Sequence, residues 1–410
     1  MVLILTGCSK VKQNSNIKEI EFWTLQLSDF APYINGVIKD YEKIHPDVRI
    51  KWIDIPFSEG EKRSLAAVMS DKVPDIINMN PSFAATLASK GALTDIKRYI
   101  PNKTYNEYLK QSWESSKLDN ITFGIPWYIT SSITIYNTDL MKKAGLNPAR
   151  PPETFDELRE YSKTIKEKTG LYAFMPNLTE DGQLIKLFNK DNIPILNKDR
   201  TKAVFNTPEA VKDLNLWVYL YKNNYIPRES ITEGHRASLE RYQAGDIAFI
   251  FAGANFLKMI KDNAPQVYKT TNVAPQIVGS NKKIDFAIMN LVIPAKSKHP
   301  KEAVDFSLFL TNTKNQLKFC KLAPILPSTT KGINSGMFKL TSAKDVITKG
   351  QSISASQLNN AITPIPLLKN QKDLFEIVDF ATQQALLGVK SPKQALDDAV
   401  KSWNQILKEK

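Results

Sequence analysis

Residues 17 to 80 alternate between segments with the composition of strands and segments with the periodicity of helices. IKEIEFWTL and VRIKWIDI are dense in β-branched and aromatic residues, which predicts two strands. In DFAPYINGVIKDYEKI the apolar residues recur at helical spacing, and SEGEKRSLAAVMSDK is predicted to form a second helix. VPDIINMN contains a short apolar run, which is typical of a buried parallel strand. Strand, helix, strand, helix, strand is the pattern of a βαβ sheet, so we predict an α/β fold.

The ligand site is expected just beyond these strands, because ligands of open α/β sheets bind at the carboxyl ends of the strands. The segments in question are TLQLSDF and NMNPSF. There, and in two later loops, aromatic residues stand beside small polar residues. A sugar offers apolar C–H faces that suit an aromatic ring and hydroxyls that amides can hydrogen-bond. The candidate ligand-binding residues are Trp23, Gln26, Ser28, Asn80, Phe83, Trp127, Tyr128, Gly253, Asn255 and Phe256.

Size and charge narrow the class of protein. With 410 residues and 42% apolar side chains, the chain can bury a large core and is expected to divide into two lobes. The net charge of +13 is spread thinly along the chain, so no nucleic-acid partner is predicted. A solvated basic surface and a role near anionic lipid or envelope polymer both remain open. The apolar run IAFIFAGA, residues 247–254, is far shorter than the roughly 20 residues of a spanning helix.

Signs of catalysis are sparse. The sequence has no H-E-x-x-H, C-x-x-C, G-x-S-x-G or phosphate-binding G-x-x-x-x-G-K-[ST] motif. His45 and His299 each precede a proline, and His235 lies in a polar loop without a nearby ligand partner, so we predict no metal and no cofactor. Glu180 and Asp181 could serve a glycoside hydrolase, since its two carboxylates must be close only in space. A solvated turn is the favoured interpretation, and the chain is predicted not to be an enzyme.

The two cysteines differ in their surroundings. Cys8 ends the segment LTGC, which resembles the box that closes a bacterial lipoprotein signal peptide. The resemblance implies that Cys8 carries lipid and that the polar SKVKQNSNIKE is a tether. A signal peptide also needs a longer apolar stretch than MVLIL, so either the start is truncated or the match is chance. Cys320 in NQLKFCKLA is predicted to be a buried thiol, because it lies at helical spacing from Leu317.

Seven blocks in order carry a resemblance over nearly the whole chain after the tether. They are FWTL, YEKIHPDVRI, PDIINMNPSFAATLASKGAL, FGIPWYITSSITIYNTDLMKKAGLNPARPPETFDEL, YQAGDIAFIFAGANF, IPAKSKHPKEAVDFSLFLTN and SPKQALDDAVKSWNQIL. The chain resembles the extracellular solute-binding proteins of bacterial ABC importers, in particular the sugar-binding family that includes maltose-binding protein. The resemblance implies a type II periplasmic-binding-protein-like fold, in which each of two lobes is a β-sheet flanked by helices and hinge crossings join the lobes.

The resemblance also implies domain limits. Residues 1–16 would be signal remnant, lipobox and tether; residues 17–130 and 281–330 would form lobe 1; and residues 131–280 and 331–410 would form lobe 2. The crossings are expected near residues 129–132, 277–288 and 328–335.

The implied function is capture of a sugar, an oligosaccharide or a glycoside, by closure of the lobes and delivery to the membrane subunits of an importer. The protein would be a lipid-anchored monomer at the outer face of the cytoplasmic membrane or in the periplasm. Relatives line the cleft at positions matching Trp23, Asn80, Phe83, Trp127 and Tyr128. In the second lobe this chain departs from the family, because GANF has Asn255 where relatives usually have tryptophan. Two alternatives are a binding protein of the same fold for a non-sugar solute and an extracellular carbohydrate-active enzyme.

Overall fold

The computed structural model of the chain describes residues 17–70, 72–340, 343, 345–361 and 367–408. Cys8 and the predicted tether lie outside the described residues. The strands are β1 Lys18–Leu25, β2 Val48–Ile55, β3 Ile76–Met79, β4 Lys117–Leu118, β5 Ile121–Thr122, β6 Gly124–Asn137, β7 Phe249–Gly253, β8 Thr271–Ala274, β9 Phe286–Val292 and β10 Leu326–Pro327.

Helices account for most of the remaining described chain. They are α1 Ala31–Ile44, α2 Phe57–Met69, α3 Pro81–Ser89, α4 Asn102–Tyr105, α5 Lys110–Glu114, α6 Thr138–Lys143, α7 Phe155–Thr169, α8 Gln183–Lys190, α9 Pro208–Lys222, α10 His235–Ala244, α11 Phe256–Asn263, α12 Pro265–Lys269, α13 Pro300–Leu310, α14 Thr313–Leu322, α15 Thr330–Ile333, α16 Val346–Gln357, α17 Gln371–Leu386 and α18 Pro392–Ile406. None of the described helices combines the length and the apolar character needed to cross a bilayer.

The principal sheet has the strand order β10-β6-β9-β3-β1-β2. Strands β2, β1 and β3 run parallel to one another, as the alternation in residues 17–80 predicts. Strand β9 lies antiparallel between β3 and β6. Before β9 the chain turns at residues 280–281, where Lys283 donates from its backbone N–H to Asn281 Oδ1 and Lys282 has a φ of 54°. The fold is a mixed α/β architecture.

Strand β6 belongs to two groups of strands. From Gly124 to Ser131 it pairs with β9, and from Ser132 onward it pairs with β7 and β8. We call lobe 1 the part built on β1, β2, β3, β9, β10 and the first half of β6, and lobe 2 the part built on β7, β8 and the second half of β6. The domain limits drawn from the sequence stay a prediction.

Each lobe has its own apolar core. Phe22, Trp127 and Phe306 lie in the lobe 1 core, where the rings of Phe22 and Phe306 meet edge to face at 5.5 Å. Phe205 and Trp403 lie in the lobe 2 core, with ring centroids 5.1 Å apart. The indole of Trp403 also donates to the carbonyl oxygen of Leu374 at 2.6 Å, which ties α18 to α17. The two lobes therefore have separate cores on either side of the strand they share.

One outer helix of each core shows a feature that its local sequence explains. Helix α18 starts with a capping box, in which the Ser391 hydroxyl accepts from the Gln394 backbone and the Gln394 side chain accepts from Ser391. Helix α14 places Cys320 in the lobe 1 core with 3% of its surface exposed, as its spacing with Leu317 predicts.

Candidate functional site

One face of β6 is open where the strand passes between the lobes. Tyr128, Thr130 and Ser132 are partly exposed, whereas the intervening Ile129 and Ser131 are buried. This is the two-residue period of a strand whose faces see different surroundings. The open face therefore forms a strip of hydroxyl-bearing side chains across the junction of the two groups of strands.

A cavity of about 300 Å³ lies against this strip, mainly on the lobe 2 side. Its apolar wall contains Phe174 and Phe251, whose rings meet edge to face with centroids 5.8 Å apart. Trp217 also lines the cavity, with its ring centroid 6.2 Å from that of Phe174. A cavity of this size with aromatic walls and a few placed polar groups has the character of a small-molecule site.

Three polar side chains from separate segments meet at one end of the cavity. Lys190 Nζ, at the end of α8, lies 3.1 Å from Asp285 Oδ1 and donates to Gln276 Oε1 at 3.2 Å. Burial acts to raise the pKa of Asp285, but the Lys190 ammonium and the Gln276 amide outweigh it, and the pKa falls below its usual range. At neutral pH this end of the cavity therefore holds a cation and an anion in contact.

The side of the cavity near α10 carries the imidazole of His235, and the Glu180 carboxylate lies next to this residue outside the lining. The Glu180 carboxylate accepts from the backbone N–H of His235 at 3.1 Å and from Asn177 Nδ2 at 3.1 Å, at the positive end of α10. Burial lowers the pKa of His235, whose ring meets Phe256 edge to face at 5.2 Å. Asp181 pairs instead with Lys186 at 2.7 Å, so Glu180 and Asp181 have separate structural partners.

Lobe 1 contributes the loop that follows β1. The Asp54 carboxylate accepts from the Thr24 hydroxyl and from the backbone N–H groups of Leu27 and Ser28, which fixes the loop. Gln26 has a φ of 52° and is exposed, as is Ser28. A positive φ in a non-glycine residue marks a backbone held in place by its surroundings.

The lobes are in contact outside the lining of the cavity. Gln371 Nε2 of lobe 2 donates to the Ser82 hydroxyl of lobe 1 at 3.1 Å. The conformation is therefore one in which the two lobes are in contact.

The structure brings some of the predicted site residues together. Gly253 and Phe256 line the cavity, and Tyr128 lies on the open face of β6. Asn255 is partly exposed at the start of α11. These four residues lie on β6, at the end of β7 or at the start of α11. Gln26 and Ser28 lie on the loop that follows β1.

Other predicted residues have structural partners. Asn80 caps α3, because its side-chain oxygen accepts from the backbone N–H of Phe83 at 2.9 Å. Trp23 donates from Nε1 to Glu21 Oε1 at 2.7 Å, and the Arg63 guanidinium lies 5.9 Å from the centre of its ring. Trp23 and Phe83 both pack against an apolar cluster of lobe 1 that does not line the cavity.

Trp127 requires a correction. It has 0% of its surface exposed, and its indole stacks on Phe319 with centroids 5.6 Å apart. The pairing of β6 with β9 shifts register between Pro126 and Tyr128, and Trp127 is the extra residue of this bulge. Since it offers no surface to a ligand in this conformation, we assign Trp127 to the core.

Several cavity residues escape prediction from the sequence. They are Thr130, Ser132, Phe174, Phe251, Lys190, Gln276, Asp285 and His235. The alternating hydroxyls of YITSSITIY were an available signal, because Thr130, Ser132 and Thr134 fall on the face opposite the isoleucines. The other residues come from segments far apart in the chain, and no local pattern links them.

Two α/β lobes that share a strand, with a cavity beside that strand, are typical of a protein that binds a small ligand. The chain belongs to the family of bacterial extracellular solute-binding proteins, whose family model matches residues 26–317.

The chain is similar to proteins whose names give different ligands. The sn-glycerol-3-phosphate-binding periplasmic protein UgpB of Salmonella typhimurium is 24% identical, with 96% of this chain and 93% of the relative covered. A solved periplasmic-binding protein of Synechococcus sp. MITs9220, to which an oligosaccharide ligand is ascribed, is 35% identical with a TM-score of 0.86, covering 95% of this chain and 99% of that chain. T. maritima MalE3, solved with maltose bound, is 21% identical with a TM-score of 0.76, covering 95% and 99% respectively, and shows the shared fold.

Proposed function

We propose that this protein captures a sugar, an oligosaccharide or a glycoside, in the cavity at the junction of its lobes, and delivers it to an ABC importer. The observation that carries the proposal is the pairing of the Phe174 and Phe251 rings with the hydroxyls of Thr130 and Ser132 in one cavity. An aromatic ring suits the C–H face of a pyranose, and neighbouring hydroxyls and amides suit its rim. The names of the Synechococcus and T. maritima proteins are in keeping with this ligand class.

Capture would proceed by closure. In the open form the ligand rests on lobe 2 and the strip of β6, and bending near Ser131 then brings the loop after β1 over it. Closure adds the contact between Ser82 and Gln371. A ligand can favour the closed form only by its greater affinity for that form, so contacts made by both lobes drive the motion.

The partners follow from the same proposal. The closed surface would be read by the transmembrane subunits of the importer, and the protein would act as a monomer. We further propose that lipid on Cys8 holds it at the outer face of the cytoplasmic membrane or in the periplasm, and that the lobes divide at the limits expected from the sequence. Two acyl chains are enough to keep a soluble domain on a membrane.

A thermal-shift screen tests the ligand class. The purified protein is heated with mono-, di- and trisaccharides, with glycosides of small polyols, and with glycerol 3-phosphate as the competing solute. A true ligand at 100 times its dissociation constant should stabilise the folded protein by ~2.7 kcal/mol. A shift with glycerol 3-phosphate and with no sugar would refute the proposal, and so would turnover of an oligosaccharide during incubation.

A further inference from the structure

Lys190 is a buried cation at the wall of a cavity. It is 7% exposed, lies at the end of α8, and lines the cavity together with Gln276 and Asp285. An ammonium has three N–H donors, and one of them is donated to Gln276 Oε1. The contact with Asp285 Oδ1 is an ion pair, and that buried oxygen accepts no hydrogen bond among the described residues. Because buried donors and acceptors are costly when they have no partner, both groups are suited to a ligand atom in the cavity.

Asp285 offers the complementary half of the pair. Its side chain is 26% exposed, although it lies beside a lysine side chain that is only 9% exposed. A carboxylate can accept up to about four hydrogen bonds, so contact with Lys190 leaves acceptor capacity toward the cavity. The pair therefore presents a donor and an acceptor side by side.

We propose that Lys190 and Asp285 bind the ligand directly, with Lys190 donating to one hydroxyl of a vicinal diol and Asp285 accepting from the next. The inference rests on the proposed function and narrows the ligand to a neutral, hydroxyl-rich solute. A phosphate or carboxylate placed at the same point would contact the ammonium but would also face the Asp285 carboxylate in a water-poor site. Like charges repel strongly there, so the pair selects against anionic ligands.

The pair also stands where the ligand can influence the hinge. Lys190 belongs to lobe 2, whereas Asp285 immediately precedes β9 of lobe 1. The backbone N–H of Gln276, whose side chain contacts Lys190, donates to Gln357 Oε1. Gln357 Nε2 in turn donates to the carbonyl oxygen of Ser132 at 3.3 Å. A ligand that holds both Lys190 and Asp285 thus contacts lobe 2 and the segment that leads into β9 of lobe 1.

The experiment exchanges one oxygen of the pair for nitrogen. Asp285→Asn keeps the shape of the side chain and removes its charge, which leaves the Lys190 ammonium without an anionic partner. We expect about a ten- to 100-fold loss of affinity for the sugar identified with the native protein, the effect of losing a hydrogen bond to a charged group. We also expect affinity for an anionic analogue, such as the corresponding uronic acid or sugar phosphate, to rise at least tenfold. Isothermal titration calorimetry measures both.

Two further variants keep the outcome clear. Glu302→Gln breaks the Lys18–Glu302 ion pair, whose nitrogen and oxygen are 2.6 Å apart on lobe 1 outside the cavity, and should leave both affinities unchanged. The double variant Lys190→Gln with Asp285→Asn contains no buried charge, and it should bind the sugar weakly and the anion not at all. Circular dichroism confirms that each variant is folded before titration.

The outcomes separate this inference from the proposed function. If the native protein binds no sugar, the proposed function fails. If the native protein binds a sugar and folded Asp285→Asn binds it with unchanged affinity and without a gain for the anion, Lys190 and Asp285 form only a structural ion pair, and the inference is overturned.

Discussion

Replacing Trp127 with alanine tests whether this residue stabilises the core or binds the ligand. The indole has no exposed surface and contacts the rings of Phe22, Tyr128 and Phe319 at centroid distances of 6.1, 5.2 and 5.6 Å. Removing a fully buried tryptophan leaves a cavity and costs about 3–5 kcal/mol of unfolding free energy. We expect that loss in lobe 1, with ligand affinity per folded molecule unchanged within about twofold.

A matched substitution, Trp127→Phe, refines the expected loss of unfolding free energy. Trp127 Nε1 is buried and has no hydrogen-bond partner among the described residues. Such a donor carries a penalty of about 1–3 kcal/mol, which Trp127→Phe removes while keeping an aromatic ring in the core. The unfolding free energy of Trp127→Phe should therefore fall by less than about 2 kcal/mol.

Urea unfolding followed by circular dichroism measures the stability of both variants, and calorimetric titration with the sugar measures binding by the folded protein. The account would be refuted by Trp127→Ala binding more than tenfold more weakly at unchanged stability, because that result belongs to a residue that touches the ligand.

Three other substitutions test separate parts of the structure. Phe251→Ala should weaken sugar binding by about 1–3 kcal/mol because it removes an aromatic wall of the cavity, and unchanged affinity in calorimetry would exclude the ring from the site. Ser82→Ala removes the hydrogen bond to Gln371, so the ligand-free protein should open, with a larger radius of gyration in small-angle scattering, while the bound form stays compact. Burial and the Asp191 carboxylate raise the pKa of Asp213 to about 7, so its ionised form is disfavoured in the folded state and stability falls as pH rises from about 4 toward 7. Asp213→Asn should raise the melting temperature at pH 8 and not at pH 4. An equal effect at both pH values would contradict the raised pKa of Asp213.

Much of the fold follows from local sequence patterns. The amphipathic period of DFAPYINGVIKDYEKI and the β-rich segments on either side predict α1, β1 and β2, because burial of one face decides each element. The insertion of β9 between β3 and β6 is different, since Ile77 pairs with Val292, more than 200 residues away. No local pattern encodes a pairing of that kind, and only the resemblance to a family anticipates it.

Less of the candidate site than of the fold is predictable from the sequence, because most of its residues come from segments that are far apart in the chain. Gly253 and Phe256 follow directly from a strand end, where ligands of α/β sheets bind. Lys190, Gln276 and Asp285 meet only after α8 and the segment before β9 have folded together. Trp127 lies in the same core as Ile129, but as the extra residue of a bulge it is not placed by the two-residue period of β6.

A crystal structure with the sugar found by thermal shift tests the central claim most directly. We predict a sugar ring against Phe251, with one hydroxyl within hydrogen-bonding distance of Lys190 and a neighbouring one within reach of Asp285. Density for the sugar elsewhere, with this cavity filled only by water, would contradict the account.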